Sequence, residues 1–134
     1  MAAIAMSPSM PMASSKSRPL AIVKILWLLM TGTDDDSPVN RWVDAASRRK
    51  VSQALPTAGH SYGLALNTGT PLSFSGRSSR RGTSSKSNQQ QRSIKAISTA
   101  FRDAYRRQDS SANSWLKGDA VESMLNSHDE WLTK

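Results

Sequence analysis

The stretch from residue 77 to residue 92 constrains the fold of this chain most, because it contains no apolar side chain. Arg, Lys, Ser, Asn and Gln dominate it, and such a stretch buries too little apolar area to offset the entropy lost on ordering. We therefore predict a basic, low-complexity, disordered linker over residues 77–92. Hydrophobic residues make up 37% of the chain, below the roughly 45–50% of a typical globular domain, so we expect a small core with long uncovered segments.

Residues 1–18 are rich in Met, Ser, Ala and Pro and contain no acid, and we predict a disordered leader there. An apolar segment and an acidic turn follow over residues 19–36. The apolar run Leu20–Met30 carries Lys24 near its centre. It is shorter than the about 20 residues that a membrane-spanning helix needs.

Several interpretations of this apolar run stay open. It is a helix or strand buried in a small core, the apolar part of a secretory signal, or part of an organelle transit peptide. Alternatively, residues 19–30 contact a membrane surface, with Lys24 reaching toward water. A signal would need an A-x-A cleavage site just after the apolar run and a transit peptide would be rich in Arg, and neither feature is present. We favour the buried segment.

Residues 37–76 are expected to form a small helical and irregular region after three adjacent aspartates, residues 34–36. Ser37 suits a helix N-cap and Pro38 suits the first turn, where the preceding acids are stabilised by the helix dipole. The central helix would run from Pro38 to Leu55. Its apolar face would carry Val39, Trp42, Val43 and Ala46. The aspartates have no further ligand at a suitable spacing, so we do not predict a metal site.

Alternating apolar residues around Asn67–Thr70 predict a short β-hairpin in the same region. The alternation comprises Tyr62, Leu64 and Leu66 before the turn, and Leu72 and Phe74 after it. A two-stranded hairpin is only marginally stable by itself, so helices are expected to dominate the fold.

Residues 93–134 have the strongest pattern and predict an αα-hairpin. The first helix has an apolar stripe of Ile94, Ile97, Phe101, Ala104 and Tyr105. The second would start at Asp119, with Glu122 three residues later in an acidic variant of the capping box. Its apolar positions would be Val121, Met124, Leu125, His128 and Leu132. The fold class predicted from the sequence is therefore mainly α, with substantial disorder.

Positive charge is concentrated between Arg77 and Arg107, where nine bases stand against the single acid Asp103. The net charge of the chain is +8. Lys and Arg neutralise phosphates, so a basic arm leading into a basic helix is typical of contact with nucleic acid or another polyanion. The alternative is a solvated basic linker. The candidate nucleic-acid-binding residues are Arg77, Arg80, Arg81, Lys86, Arg92, Lys95, Arg102, Arg106 and Arg107.

Thr83 follows Arg80 and Arg81 at a spacing that suits phosphorylation, which would cancel local positive charge. The same basic stretch could serve as a nuclear-import signal.

Several classes of chemistry are excluded or disfavoured. The chain has no Cys, so disulfides, thiolate catalysis and thiolate-bound zinc are absent. Its two histidines, His60 and His128, share no metal-ligand spacing. We therefore expect a protein that is not an enzyme and has no cofactor. Zinc-finger spacing, aromatic RNP motifs and GXXG loops are also missing, so any binding to nucleic acid would be electrostatic.

The sequence thus favours a small, basic, non-enzymatic accessory protein, of the kind found in viruses or in single lineages, that binds nucleic acid or another polyanion through residues 77–107. One alternative is a membrane-associated, secreted or organelle-imported protein that uses residues 1–33 as signal or anchor. Another is a protein-interaction module acting through the C-terminal helices. A cytoplasmic or nuclear location is weakly favoured over export or import.

Overall fold

The structure, a computed structural model, describes residues 1–9, 25–56, 61–76 and 85–134. Within these residues the chain forms four strands and five helices, in an α/β arrangement. In chain order they are β1 (Ala2–Met6), β2 (Leu26–Gly32), α1 (Ala45–Ala54), β3 (Tyr62–Leu66), α2 (Pro71–Phe74), α3 (Ser85–Arg106), α4 (Ser110–Lys117), α5 (Asp119–Ser123) and β4 (Glu130–Thr133). The mainly α fold with a C-terminal αα-hairpin that the sequence predicts is therefore wrong.

The described strands form one mixed sheet in the order β1-β2-β3-β4. β1 pairs with β2 and β2 with β3 in parallel, with Leu28 opposite Tyr62. β4 runs antiparallel to β3 at the edge, with Thr133 opposite Tyr62. The carboxyl ends of the three parallel strands β1, β2 and β3 consequently lie side by side at the same end of the sheet.

Alternation along the strands gives the sheet two different faces. Leu28, Met30 and Leu64 face the larger core, which α3, α4 and α5 complete with Ile97, Phe101, Leu116 and Val121. Leu29 lies on the opposite face, where α1 covers it with Val51 and Leu55. Strands covered on both faces read as continuous apolar runs. Such runs cannot be distinguished from short buried helices by periodicity, which is why the sequence did not predict this sheet.

The N-terminal segments are more ordered than the sequence predicts. Residues 2–6 of the expected disordered leader form the edge strand β1, while residues 10–18 lie outside the described residues. The described end of the apolar run belongs to β2, where Leu28 and Met30 are fully buried. Of the four interpretations of that run, burial in the core is the one that the structure supports for these residues. None of the helices in the described ranges is long and apolar enough to cross a membrane.

The central helix is shorter than predicted and starts later. α1 begins after Asp44, whose side chain accepts a hydrogen bond from the Ser47 backbone N–H at 2.7 Å, so Ser37 and Pro38 do not begin it. Ser37 instead caps a local turn by accepting from the Asn40 N–H. Trp42, assigned to the buried face, is 89% exposed. The apolar face that is buried comes later in the helix.

The predicted β-hairpin around Asn67–Thr70 is also wrong. Residues 62–66 do form a strand, but β3 pairs with β2 and β4, which lie far away in sequence. Residues 71–74 form the short helix α2, with Pro71 in its first turn and the Thr70 N–H donating to Ser73 Oγ at 3.1 Å. The proline therefore starts a helix, as its fixed φ favours.

The first C-terminal helix is confirmed, whereas the second differs from the prediction. Ile94, Ile97, Phe101 and Ala104 are buried along α3, as their spacing predicts. α3 also includes residues 85–92, which the sequence assigned to the linker, because Gln90 is buried and its Nε2 donates to the Asn67 carbonyl at 3.0 Å.

After α3 the chain forms two short helices and then an edge strand. α5 ends at Ser123 and has Gly118 at its N-cap position, so Asp119 is its first residue and caps nothing through its side chain. Residues 130–133 form β4 because they complete the sheet beside β3, which is a tertiary contact that helical spacing cannot anticipate.

Candidate functional site

Four of the predicted binding residues share the outer face of α3. Arg92, Lys95, Arg102 and Arg106 are all exposed and follow one another at intervals of three, seven and four residues. This spacing keeps side chains on one side of an α-helix, here the side opposite the buried residues such as Ile97. At 1.5 Å per residue the four positions extend along about 21 Å of the helix. We call these four residues the basic ridge.

Most of the basic ridge is free of acidic partners among the described residues. Asp103 lies beside it, but its Oδ1 contacts Arg102 Nε at 3.4 Å and Arg107 Nη1 at 3.5 Å. Arg92, Lys95 and Arg106 have no ion pair within the described part of the chain. Bases therefore outnumber acids on the outer face of α3.

The remaining predicted binding residues lie elsewhere. Lys86 is exposed in the first turn of α3, on a different side from the basic ridge, and Arg107 follows the helix end. Arg77, Arg80 and Arg81, together with the candidate phosphorylation site Thr83, lie outside the described residues. The structure thus brings together four of the nine bases, and the three-and-four-residue spacing from Arg92 onward is the sequence signal for that grouping.

A groove of about 590 Å³ runs between α3 and α4, next to the basic ridge. Among the described residues its lining is mostly small or apolar, with Arg92 and Lys95 on its α3 side, Asp103 as the single acid and Trp115 as the one aromatic residue. The other lining residues are Ala96, Thr99, Ala100, Ala112 and Met124. The sequence did not point to this groove, because α4 lies between the two helices that the sequence predicted.

A second, polar hollow of about 520 Å³ lies where β3 ends and α3 begins. Lys86 and Gln89 line it from α3, and His128 lines it from the turn before β4. His128 Nδ1 lies 2.7 Å from Ser127 Oγ. His128 was predicted on the apolar side of a helix but is exposed in this turn instead.

The three adjacent aspartates follow the carboxyl end of β2 and lie in two different environments. Asp35 is fully buried, and its carboxylate accepts from Ser7 Oγ and Thr31 Oγ1, both at 3.0 Å. Asp34 and Asp36 are exposed. No group of three potential metal-ligating side chains occurs within the described ranges.

Arg48 from α1 completes this buried cluster. Its Nε donates to the Asp35 carbonyl at 2.6 Å and lies 3.6 Å from Asp35 Oδ1, while Nη1 donates to the carbonyl of Ser7. Arg48 is only 8% exposed. Because each polar group here has a partner within the protein, the cluster joins β1, β2 and α1, and its geometry is that of a structural ion pair.

An aromatic cluster stabilises the face of the sheet that packs on α3. Tyr62 stacks on Trp131 at 5.5 Å between ring centroids and meets Phe101 edge-on at 6.0 Å. The Tyr62 and Tyr105 hydroxyls are 2.6 Å apart. Burial, and secondly this hydrogen bond, raise the pKa of Tyr62 well above its ordinary value of 10.0. The cluster fixes the orientation of α3 and thus of the basic ridge on the opposite side.

Comparison with models of known protein families and with curated protein sequences finds no match. The charge and geometry of the chain itself are what bear on its function.

Proposed function

We propose that this protein is a small, non-enzymatic accessory protein that binds the phosphate backbone of nucleic acid through the basic ridge. The observation that carries the proposal is the alignment of Arg92, Lys95, Arg102 and Arg106 along one exposed helix face. Three of these four bases have no acidic partner among the described residues. Unpaired cations in a row attract a polyanion over their whole length.

The number of bases in the ridge sets the expected salt dependence of binding. Four bases that each neutralise one phosphate would give a slope of log K against log salt of about −3.6 for duplex DNA and about −2.8 for a single strand. Raising the salt from 50 to 200 mM would then weaken binding about 50- to 150-fold. Such contacts position a protein on the backbone without recognising a base sequence.

Two features of the sequence next to α3 extend this proposal. Arg77, Arg80 and Arg81 come shortly before the first residue of α3 in the sequence and would add to the positive charge that attracts a polyanion. A phosphate on Thr83 would carry roughly −1.5 to −2 charges and would weaken binding to a polyanion.

The direct test compares two double variants that lose the same charge. Lys95→Gln/Arg106→Gln removes two unpaired bases of the ridge, whereas Arg41→Gln/Lys50→Gln removes two exposed bases elsewhere. Binding of fluorescently labelled single-stranded RNA and duplex DNA is measured by anisotropy at several salt concentrations. We expect the ridge variant to reduce the salt slope by about 1.4–1.8 and the control to leave it nearly unchanged.

Two results would contradict the proposal. Failure of the wild-type protein to bind either nucleic acid at low salt would exclude it directly. An equal loss of slope in the two double variants would mean that net charge, and not the ridge, attracts the polyanion.

A further inference from the structure

The groove between α3 and α4 lies beside the basic ridge and shares two of its bases. Arg92 and Lys95 belong to the ridge and also line the groove. A phosphate held by these two side chains would therefore place the rest of its nucleotide at the mouth of an apolar depression.

Trp115 is suited to receive a planar ring in that depression. Its side chain is half-buried against the main core, which fixes the position of the indole. Among the described residues, the ring–ring contacts involve Tyr62, Phe101, Tyr105 and Trp131, and Trp115 takes part in none of them. Within the part of the chain that the structure describes, the indole thus lines the groove without an aromatic partner.

The position of Trp115 is fixed by the way α4 is anchored. Asp109 caps the start of α4 by accepting from the backbone N–H groups of Ser111 and Ala112, at 2.8 and 3.1 Å. Leu116, the residue after Trp115, is fully buried in the main core. A helix held at both points presents its aromatic side chain in one place, which lowers the entropy cost of stacking a ligand on it.

The other lining residues leave room beside the indole. Ala96 and Ala100 from α3 and Ala112 from α4 are small, and Asp103 already contacts Arg102. A planar, uncharged ring attached to a negative backbone fits this combination of apolar space and adjacent cations. Stacking on an aromatic side chain while cations hold the backbone is how proteins bind single strands without sequence preference.

We propose, on the basis of the function proposed above, that this groove binds an unpaired nucleobase stacked on Trp115. The protein would then prefer single-stranded nucleic acid. Bases within a duplex are already stacked and paired, and they could reach the groove only after being unstacked at a cost of a few kcal/mol.

The two walls of the groove favour a base over an acidic peptide helix as its occupant. α3 lines the groove from Arg92 to Asp103, about 16.5 Å along its axis, whereas α4 lines it through Ala112 and Trp115, only about 4.5 Å. A docked amphipathic helix uses anchors at i, i+3, i+4 and i+7, which extend over about 10.5 Å. The length over which both helices line the groove therefore suits one stacked ring and is shorter than two turns of a helix.

The experiment compares two labelled 12-mers that have the same number of phosphates. One is oligo(dA), and the other is an abasic oligomer that carries no bases. A single stacked base predicts that oligo(dA) binds about 5- to 150-fold more tightly than the abasic oligomer, the equivalent of about 1–3 kcal/mol. A duplex is expected to bind like the abasic oligomer once the salt dependence of each is taken into account.

Two variants and one control locate the difference in the groove. Ala96→Leu adds a larger side chain to the groove lining without changing charge, and the control Ala46→Leu places the same side chain at an exposed position on α1. We expect Ala96→Leu to lower the affinity for oligo(dA) to the abasic level while abasic binding stays unchanged. Ala46→Leu should alter neither. Trp115→Leu should act like Ala96→Leu, and because Trp115 also contacts the core, unchanged abasic binding by that variant reports that α3 is still folded.

The possible failures of the two proposals are distinguishable. Equal affinity for oligo(dA) and the abasic oligomer would overturn the base-binding groove and leave the basic ridge intact. A second outcome would also refute the proposal. If a Glu-rich amphipathic peptide binds, if Ala96→Leu weakens that binding, and if the protein shows no preference for oligo(dA), then the groove is a protein-docking site. Absence of binding to both oligomers at low salt would overturn both proposals.

Discussion

Two glycines in neighbouring strands should respond to the same substitution in opposite ways. Gly32 ends β2, where the chain passes against the turn that follows β3. The Asp34 N–H donates to the Gly69 carbonyl at 3.0 Å, and a Cβ added at Gly32 would lie 2.0 Å from that same carbonyl oxygen. The obstacle is backbone, which cannot rotate away as a side chain can. Gly32→Ala should therefore cost about 3 kcal/mol or more, the upper end for overpacked substitutions.

Gly63 lies in the middle of β3 and offers the matched comparison. A Cβ there would meet Leu132 Cβ at 3.6 Å and Ser52 Cβ at 4.0 Å, which are ordinary van der Waals contacts. It would point to the α1 side of the sheet, where a cavity of about 100 Å³ remains. Glycine within a strand is about 0.5–1 kcal/mol less favourable than alanine. Gly63→Ala should therefore stabilise the protein by about that amount.

Thermal and urea unfolding followed by far-UV circular dichroism measure both variants against the wild type. For a chain of this length 1 kcal/mol corresponds to about 4 °C in Tm, so the two variants should differ by about 15 °C. Gly63→Ala should melt above the wild type and Gly32→Ala well below it. Equal melting temperatures, or the reverse order, would refute the described approach of the β2 end to the turn after β3.

Three further outcomes are expected for the core. Asp35→Ala should lower the free energy of unfolding, measured in urea, by about 3–5 kcal/mol, because it leaves the charge of Arg48 buried without its partner. A urea midpoint equal to that of the wild type would contradict the ion pair. The raised pKa keeps Tyr62 protonated in the folded state, so this residue should not affect stability below pH 10, and stability should fall as the pH rises above 10. The loss of stability above pH 10 should be smaller in Tyr62→Phe, and an identical loss in that variant would argue against the raised pKa. Phe101→Ala should cost about 3–5 kcal/mol, whereas Arg102→Ala should change stability by no more than about 0.5 kcal/mol; similar losses in the two would mean that the buried side of α3 is misassigned.

The elements that could be predicted from sequence are those in which the relevant contacts are local. The stripe Ile94, Ile97, Phe101 and Ala104 identified most of α3 because helical hydrogen bonds join residues four apart. The same periodicity placed Lys95, Arg102 and Arg106 away from the apolar stripe. Arg92 was assigned to the linker only because polar side chains surround it.

The strands show why the fold class was wrong. The Leu28 and Tyr62 positions pair across the parallel strands β2 and β3, and no local signal in either segment specifies that partner. A run such as residues 62–66 is compatible with a hairpin, a buried helix or a central strand until the other strands are present. β4 is the extreme case, because its four residues are a strand only through pairing with β3.

The three aspartates make the same point for side chains. Residues 34–36 are chemically identical, and the sequence does not distinguish one of them from the others. The direction in which β2 ends places only the middle one, Asp35, within reach of Ser7, Thr31 and Arg48. Burial of a single carboxylate in such a run is a consequence of the fold and cannot be inferred from composition.

The sequence by itself determined the net charge, the concentration of bases before and within α3, and the helical periodicity that separates its basic and apolar sides. These properties depend on residues a few positions apart, and backbone geometry relates such residues directly. Only the tertiary structure decided which strands pair, which aspartate is buried, and that α4 lies beside α3 so that Trp115 lines the same groove as Arg92 and Lys95. Each of these depends on contacts between segments distant in the chain, which form only when the whole core is buried together.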